Sequence, residues 1–282
     1  MTASLREVIA ALEDAYPPAL AESWDAVGLV CGDPDELVRR VLIAVDPVAD
    51  TVAEALEQDA QLLVTHHPLL LRGVHGVPAN DPKGGLVHRL VRAGVGLFCA
   101  HTNADVADPG VSDVLAQVLG LRVTSPLSAR SAGPPEQPCS AGLGRIGELP
   151  RAESLHAFTG RVRAALPETA WGVRSAGDPQ RLVRTVAVCG GAGDSLLETV
   201  CCASVDAFVT ADLRHHPVTE HLAAGGPALV DVAHWASEHP WCAQAASVVS
   251  AALGGTVDVR VSQRRTDPWT IGSAEPSGRS PR

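Results

Sequence analysis

The sequence predicts an α/β protein made of two similar lobes, with a pair of metal ions held in the cleft between them. Three observations carry this expectation: short apolar runs alternate with helical segments, that alternation repeats itself, and His/Asp/Glu clusters follow the apolar runs. The candidate strands are Val41–Asp46, Leu62–Thr65, Leu97–Ala100, Val186–Cys189, Ala207–Thr210 and Ala228–Val232. Their near-continuous apolar character suits strands buried on both faces, as in a parallel sheet. Segments such as Asp50–Gln58, Gly85–Arg92 and Ser195–Cys202, rich in Ala, Leu and Glu, read as the intervening helices.

The repeat is visible in the spacing. Val41 opens an apolar run, a helix follows, and Val64 stands 23 residues on; Val186 and Val209 repeat the pattern at the same distance. Each half then reaches an apolar run ending in Ala-His, at Ala100-His101 and Ala233-His234. Self-similarity of this kind marks related structural units, although two generic βαβ units would look alike too. The expected division is a first lobe at 1–124, a Pro-rich linker at 125–140, a second lobe at 141–271 and a disordered tail at 272–282. Pro126, Pro134, Pro135 and Pro138 mark the linker. The run Ala141 to Gly147 holds too much glycine for a helix, and the tail is rich in Gly, Ser and Pro.

Composition sets the limits. At 282 residues the chain is long for one compact domain, and 46% hydrophobic with only 3% aromatic residues means a core of Ala, Val and Leu. A formal net charge of −10 with no Lys/Arg-rich stretch argues against a nucleic-acid scaffold. It leaves room for a phosphorylated small molecule if a metal supplies positive charge. The seven cysteines, Cys31, Cys99, Cys139, Cys189, Cys201, Cys202 and Cys242, are odd in number and form no Cys-x-x-Cys, so neither a disulfide framework nor a zinc knuckle is indicated. The amino-terminal segment is a charged helical pattern rather than a signal peptide, and no apolar run nears the roughly 20 residues needed to cross a bilayer. A soluble, cytoplasmic protein without a membrane partner is expected.

Three clusters carry chemistry. His66-His67-Pro68 leaves the strand that ends at Thr65, and ligands in open α/β sheets gather beyond strand carboxyl ends. His101-Thr102-Asn103-Ala104-Asp105 follows a second strand, with a carboxylate placed to turn back toward cations. His234-Trp235-Ala236-Ser237-Glu238 follows a third, with Ser237 a candidate N-cap for a helix Glu238–Leu253. Taken singly, each also reads as solvated loop histidines, an ordinary polar turn or a helix-start glutamate. Together they place nitrogen and oxygen donors at matching strand ends, a set suited to Zn²⁺, Mn²⁺ or Fe²⁺ and, lacking thiolates, to a catalytic site.

Arg214-His215-His216-Pro217 repeats the histidine pair in the second half, as a vestige of the repeat, a substrate contact or surface residues. Gly190-Gly191-Ala192-Gly193-Asp194-Ser195 could hold an anion on backbone amides, but reads better as a tight turn because it lacks a P-loop lysine. His75, His88, His156, His221 and His239 stand outside these patterns and read as structural or solvated.

At these residues the sequence resembles the GTP cyclohydrolase I type 2 homologue family, also called NGG-one-interacting-factor-three-like or dinuclear metal centre hexameric proteins. The matching segments are SWDAVGL (23–29), VTHHPLL (64–70), HTNAD (101–105), GLGRIGEL (142–149), VAVCGGAGDS (186–195), VTADLRHHP (209–217) and DVAHWASE (231–238). The resemblance implies His66, His67, Asp105, His234 and Glu238 as ligands of two divalent metal ions, two similar α/β domains per subunit, and a homohexamer. It leaves His101 and His215 as candidates for proton shuttling or support of the ligands. Ala26 stands where the family has Asn, Ser112 near where it has another Asn, and Ala211 where Gly is usual; none is an expected ligand.

The implied activity is a metal-dependent hydrolase on a small molecule such as a nucleotide, with GTP cyclohydrolase chemistry that opens the guanine imidazole ring. Cations held a few Å apart would acidify a water and polarise the bond under attack. A metal-dependent phosphoesterase would use the same donors. A metal-binding regulatory or chaperone protein without turnover is the rival from another class.

Overall fold

The computed structural model describes residues 2–130 and 140–272 of the chain. Residues 131–139 of the expected linker, Cys139 among them, and residues 273–282 of the expected tail lie outside the described residues. The chain divides into two compact units, one of Met1–Val114, Ala129–Leu143 and His239–Thr266, the other of Leu115–Ser128, Gly144–Glu238 and Asp267–Arg282.

The first unit begins with β1 (Ala3–Ser4) and α1 (Leu5–Ala15), whose start is a capping box. Ser4 Oγ accepts from the Glu7 amide at 3.3 Å while the Glu7 carboxylate accepts from the Ser4 amide at 2.7 Å, so two otherwise unpaired donors are satisfied. There follow β2 (Gly28–Cys31), β3 (Leu37–Val38), β4 (Arg40–Ala44), α2 (Ala49–Glu57), β5 (Leu62–Thr65), α3 (Pro82–Arg92), β6 (Gly96–Cys99) and α4 (Thr102–Val106). Asp81 caps α3 through the amides of Lys83 and Gly84, with Pro82 at the first position, where its missing N–H costs nothing.

The main sheet of this unit runs in the order Asp258–Val261, β4, β5, β6, β2. Its first four strands are parallel and β2 closes the edge antiparallel to β6. The central strands read Val-Leu-Ile-Ala and Leu-Leu-Val because helices cover them: Leu42, Ala44, Leu63 and Leu97 share one cluster with Val52 and Ala55 of α2 and Leu90 of α3. Each such side chain taken from water stabilises the fold by about 1.5–3 kcal/mol before conformational entropy is set against it.

Between Val111 and Val118 lies α5, after which the second unit contributes β7 (Arg122–Ala129), β8 (Gly142–Ser154), α6 (Leu155–Ala165), β9 (Val173–Ala176), β10 (Leu182–Ala192), α7 (Leu197–Cys202), β11 (Ala207–Ala211), α8 (His215–Ala223) and β12 (Ala228–Val232). The glycine-rich run near Gly142 is thus the start of a long strand. Sheet order is β7, β8, β10, β11, β12, β9, with β10, β11 and β12 parallel, β8 antiparallel to β10, and β9 antiparallel to β12. The run β10-β11-β12-β9 reproduces β4-β5-β6-β2: three parallel strands and an antiparallel edge. Val41 pairs with Leu62 and Val186 with Ala207, the same separation along the chain, so the repeat seen in the sequence is a repeat of sheet register. The fold is α/β with a sheet in each unit.

The last helix, α9, spans His234–Ala252. Its start at His234, earlier than the expected Glu238, takes Ser237 out of the cap position. Ser237 Oγ instead donates to the His234 carbonyl at 2.7 Å and accepts from the Gly191 amide at 2.9 Å. Among the described residues no helix is long and apolar enough to cross a membrane.

Candidate metal centre

His66 and His67 extend the β5 ladder beyond its last strand residue. Their amides donate to the carbonyls of Ala44 (3.2 Å) and Val45 (2.9 Å), so the backbone is fixed before the side chains are placed. The His66 ring is fully buried and its Nδ1 lies 2.9 Å from the Ala100 carbonyl. A carbonyl only accepts, so Nδ1 carries a proton, and in the neutral ring Nε2 carries the lone pair. That Nε2 stands 3.7 Å from Asp105 Oδ1.

His67 is oriented by a carboxylate in place of a carbonyl. Its Nδ1 lies 2.7 Å from Asp46 Oδ1, and the Thr266 hydroxyl donates to Asp46 Oδ2. His101 repeats the device with Asp25, whose Oδ1 lies 2.9 Å from Nδ1. The other Asp25 oxygen accepts from the Thr102 amide at 3.0 Å and the Thr102 hydroxyl at 2.5 Å. Burial pushes the Asp25 pKa upward, but the bonds from His101 and Thr102 outweigh it and hold the carboxyl below its usual range.

The three imidazoles converge. Their ring centroids are 5.1 to 5.6 Å apart, and one nitrogen of each lies within 4.8 Å of the others. Burial and the neighbouring His66 push the His101 pKa down to about 4, against the opposing pull of Asp25. A neutral ring with Nδ1 held from behind is the state in which imidazole binds a divalent cation, and the cluster aims three such rings at one another. Asp105 sits one helical turn past His101, its amide donating to the His101 carbonyl at 3.1 Å, which brings a hard oxygen donor to the same end of the sheet.

The second unit builds its own pair. His234 and Glu238 are four residues apart at the start of α9, with Nε2 and Oε1 at 2.9 Å. His234 Nδ1 lies 2.7 Å from Asp212 Oδ2, so Nδ1–H is the donor there and Nε2 faces a carboxylate oxygen; in the neutral ring that nitrogen holds a lone pair. Two acceptors at that distance repel unless a proton or a cation lies between them. Gly191 permits the arrangement: at φ +68°, a Cβ there would come within 2.4 Å of Glu238 Oε1 and 3.1 Å of His234 Nε2. The glycine-rich end of β10 is therefore the close-packed wall behind this pair. The donor sets in both units fit a metal: imidazoles with fixed tautomers, carboxylates, no thiolate.

The structure therefore brings His66, His67, His101 and Asp105 together in the first unit and His234 with Glu238 in the second. His215 goes elsewhere. It lies at the start of α8, edge-on to His216, and lines a cavity of about 250 Å³ with Arg174, Arg214 and Thr219. By register Ala211 and Asp212, rather than His215 and His216, correspond to His66 and His67, and the second histidine pair opens α8 instead.

Sequence reasoning missed Asp25, Asp46 and Asp212, and also Trp241, the fully buried ring packed 5.2 Å from His66. Asp25 and Asp212 lie inside the segments SWDAVGL and VTADLRHHP, so the signal was a carboxylate in each histidine-bearing motif's company. Ala26 donates its amide to Asp25 Oδ1 at 2.7 Å, so the position retains a role that any residue with an N–H can fill.

Fold and site together define an α/β protein with two sheet-bearing units and an imidazole-rich candidate metal centre. The chain belongs to the Duf34/NIF3 (NGG1p interacting factor 3) family, whose model matches residues 3–268. A Streptomyces coelicolor relative named GTP cyclohydrolase 1 type 2 homolog is 52% identical, covering 94% of this chain and 93% of its own. One of the same name from Mycobacterium tuberculosis is 43% identical over 96% of this chain and 98% of its own. Among solved structures, a Bacillus cereus protein related to NIF3 shares the fold at TM-score 0.86, with 23% identity over 96% of this chain and all of that one. Staphylococcus aureus protein SA1388 matches at TM-score 0.85 and 26% identity, over 95% of this chain and 99% of that one.

Proposed function

We propose that this protein is a metal-dependent hydrolase of nucleotide-like substrates, with His66, His67, Asp105, His234 and Glu238 as ligands of two divalent cations, Zn²⁺, Mn²⁺ or Fe²⁺. The observation that carries the reading is the convergence of the His66, His67 and His101 nitrogens within 4.8 Å, each ring held by a separate partner. We include His101 among the donors, because its ring lies within the cluster. No comparable geometry supports His215 as a proton shuttle.

Divalent cations held there would supply Lewis acidity toward an oxygen or ring nitrogen of the substrate and acidify a water. The chain's own part is orientation. Asp25, Asp46 and Asp212 each accept an Nδ1–H, which fixes the tautomer and increases the basicity of Nε2. Trp241 and the buried strand ends exclude water behind His66. The relatives' name, GTP cyclohydrolase 1 type 2 homolog, supports hydrolytic opening of the guanine imidazole ring as the reaction to test first. A homohexamer belongs to the same reading and rests on the family resemblance, and a cytoplasmic location is proposed with it.

The test is to reload purified protein with each cation and assay GTP and phosphodiesters. Formate release from GTP supports the cyclohydrolase reading, and phosphodiester cleavage alone would make the protein a phosphoesterase. No turnover with any cation at a fully loaded site would overturn the enzyme reading in favour of a non-catalytic metal-binding protein. Light scattering of the same sample checks the hexamer.

A further inference from the structure

We infer that Cys201 is a reactive thiol, a site of covalent modification by low-molecular-weight disulfides, with His221 as its base. Cys201 lies near the end of α7 and is exposed, while His221 lies on α8 and is only 5% exposed. The Cys201 Sγ is 3.3 Å from His221 Nδ1. On the far side of the ring, Nε2 is 2.9 Å from the Pro227 carbonyl, an obligate acceptor, so Nε2 carries the proton. Nδ1 therefore offers its lone pair to sulfur, and the S–H is the donor. Gly226 keeps the ring in place: a Cβ there would come within 2.4 Å of Nε2 and 2.6 Å of Cε1.

Nucleophile, base and a group that orients the base are thus in line, the arrangement that activates a weak nucleophile. Cys99 and Cys202 lack it. Cys99 is buried and donates to the His66 carbonyl at 3.2 Å, and burial pushes its pKa up. Cys202, next in sequence and also exposed, has no imidazole contact among the described residues.

In the reaction Cys201 Sγ gives its proton to His221 Nδ1 and attacks one sulfur of the disulfide. A new S–S bond forms on Cys201, the incoming S–S bond breaks, and its electron pair leaves on the departing sulfur, which takes the proton from His221. Cys201 is oxidised and half of the small disulfide is reduced to thiol.

The full-length protein is treated with glutathione disulfide at neutral pH, quenched with acid and digested, and the occupancies of Cys201 and Cys202 are read by fragment mass spectrometry. Rates are normalised to those in denaturant, where both thiols are solvated. Cys201 is expected to react about tenfold faster than Cys202, an excess within reach because an ordinary thiol is only a few per cent thiolate at neutral pH. In His221→Gln the ratio is expected to fall to about one, since the base is gone. Equal rates in the unsubstituted protein overturn the inference whether or not the variant folds, and so does an excess that survives in folded His221→Gln.

Discussion

Asp25 Oδ1 lies 2.9 Å from His101 Nδ1, and this contact decides which nitrogen of the ring carries the proton. Asp46 with His67 and Asp212 with His234 repeat the relationship at 2.7 Å each. In every case a carboxylate behind the ring turns a generic histidine into a directed donor.

Asp25→Ala and Asp46→Ala are each expected to weaken divalent-metal binding by about 10–100-fold while leaving the ligands in the chain. Competition against a chromogenic chelator measures this. Wild-type affinity in both variants would show that the carboxylates do not orient the rings.

His66→Ala and Glu238→Ala should each lower the metal bound per chain, as measured by elemental analysis after dialysis. Undiminished metal in both would remove these residues from the ligand set.

Gly191→Ala places a methyl group 2.4 Å from Glu238 Oε1 on a backbone at φ +68°. We expect destabilisation of about 1–3 kcal/mol from backbone strain and overpacking, together with reduced metal content. Chemical denaturation of the variant checks the first and elemental analysis the second.

Trp241→Ala opens a cavity beneath His66, where the ring is fully buried. The expected cost is about 3–5 kcal/mol in the folding free energy, read from urea unfolding of the metal-free protein. A loss well under that would mean that the surrounding helix collapses onto His66.

Acid should destabilise the metal-free protein in a defined window. His101 is lowered to about 4 in the fold, chiefly by burial, against a reference of 6.5, so the unfolded chain takes up its proton first as pH falls. Stability is then complete above about pH 6.5 and declines toward pH 4. Asp25, held below its reference of 3.8 by His101 and Thr102, adds stability that is present above that value and lost as pH falls further. A melting temperature that is flat from pH 7 to pH 4 would contradict the assignment of a neutral, buried His101.

Much of the fold was legible because its signals are local. Val41–Ala44 and Leu62–Thr65 are unbroken apolar runs, as strands covered on both faces must be, and the equal spacing in the two halves matches equal sheet register. The start of α9 was misplaced because Ser237 has the chemistry of an N-cap, yet it is drawn to the His234 carbonyl and the Gly191 amide inside the helix. Gly191 itself looked like part of a tight turn; nothing local revealed that Glu238 would pack against it.

By itself, then, the sequence determined the alternation of strands and helices, the repeated unit and the histidines and carboxylates that follow the strand ends, since these depend on patterns a few residues long. The tertiary structure alone decided that Asp25 reaches His101 across 76 positions, that Trp241 lies against His66, and which nitrogen of each ring holds a proton. A hydrogen-bond partner is chosen by what the completed sheet brings within about 3 Å, and no local periodicity encodes that choice.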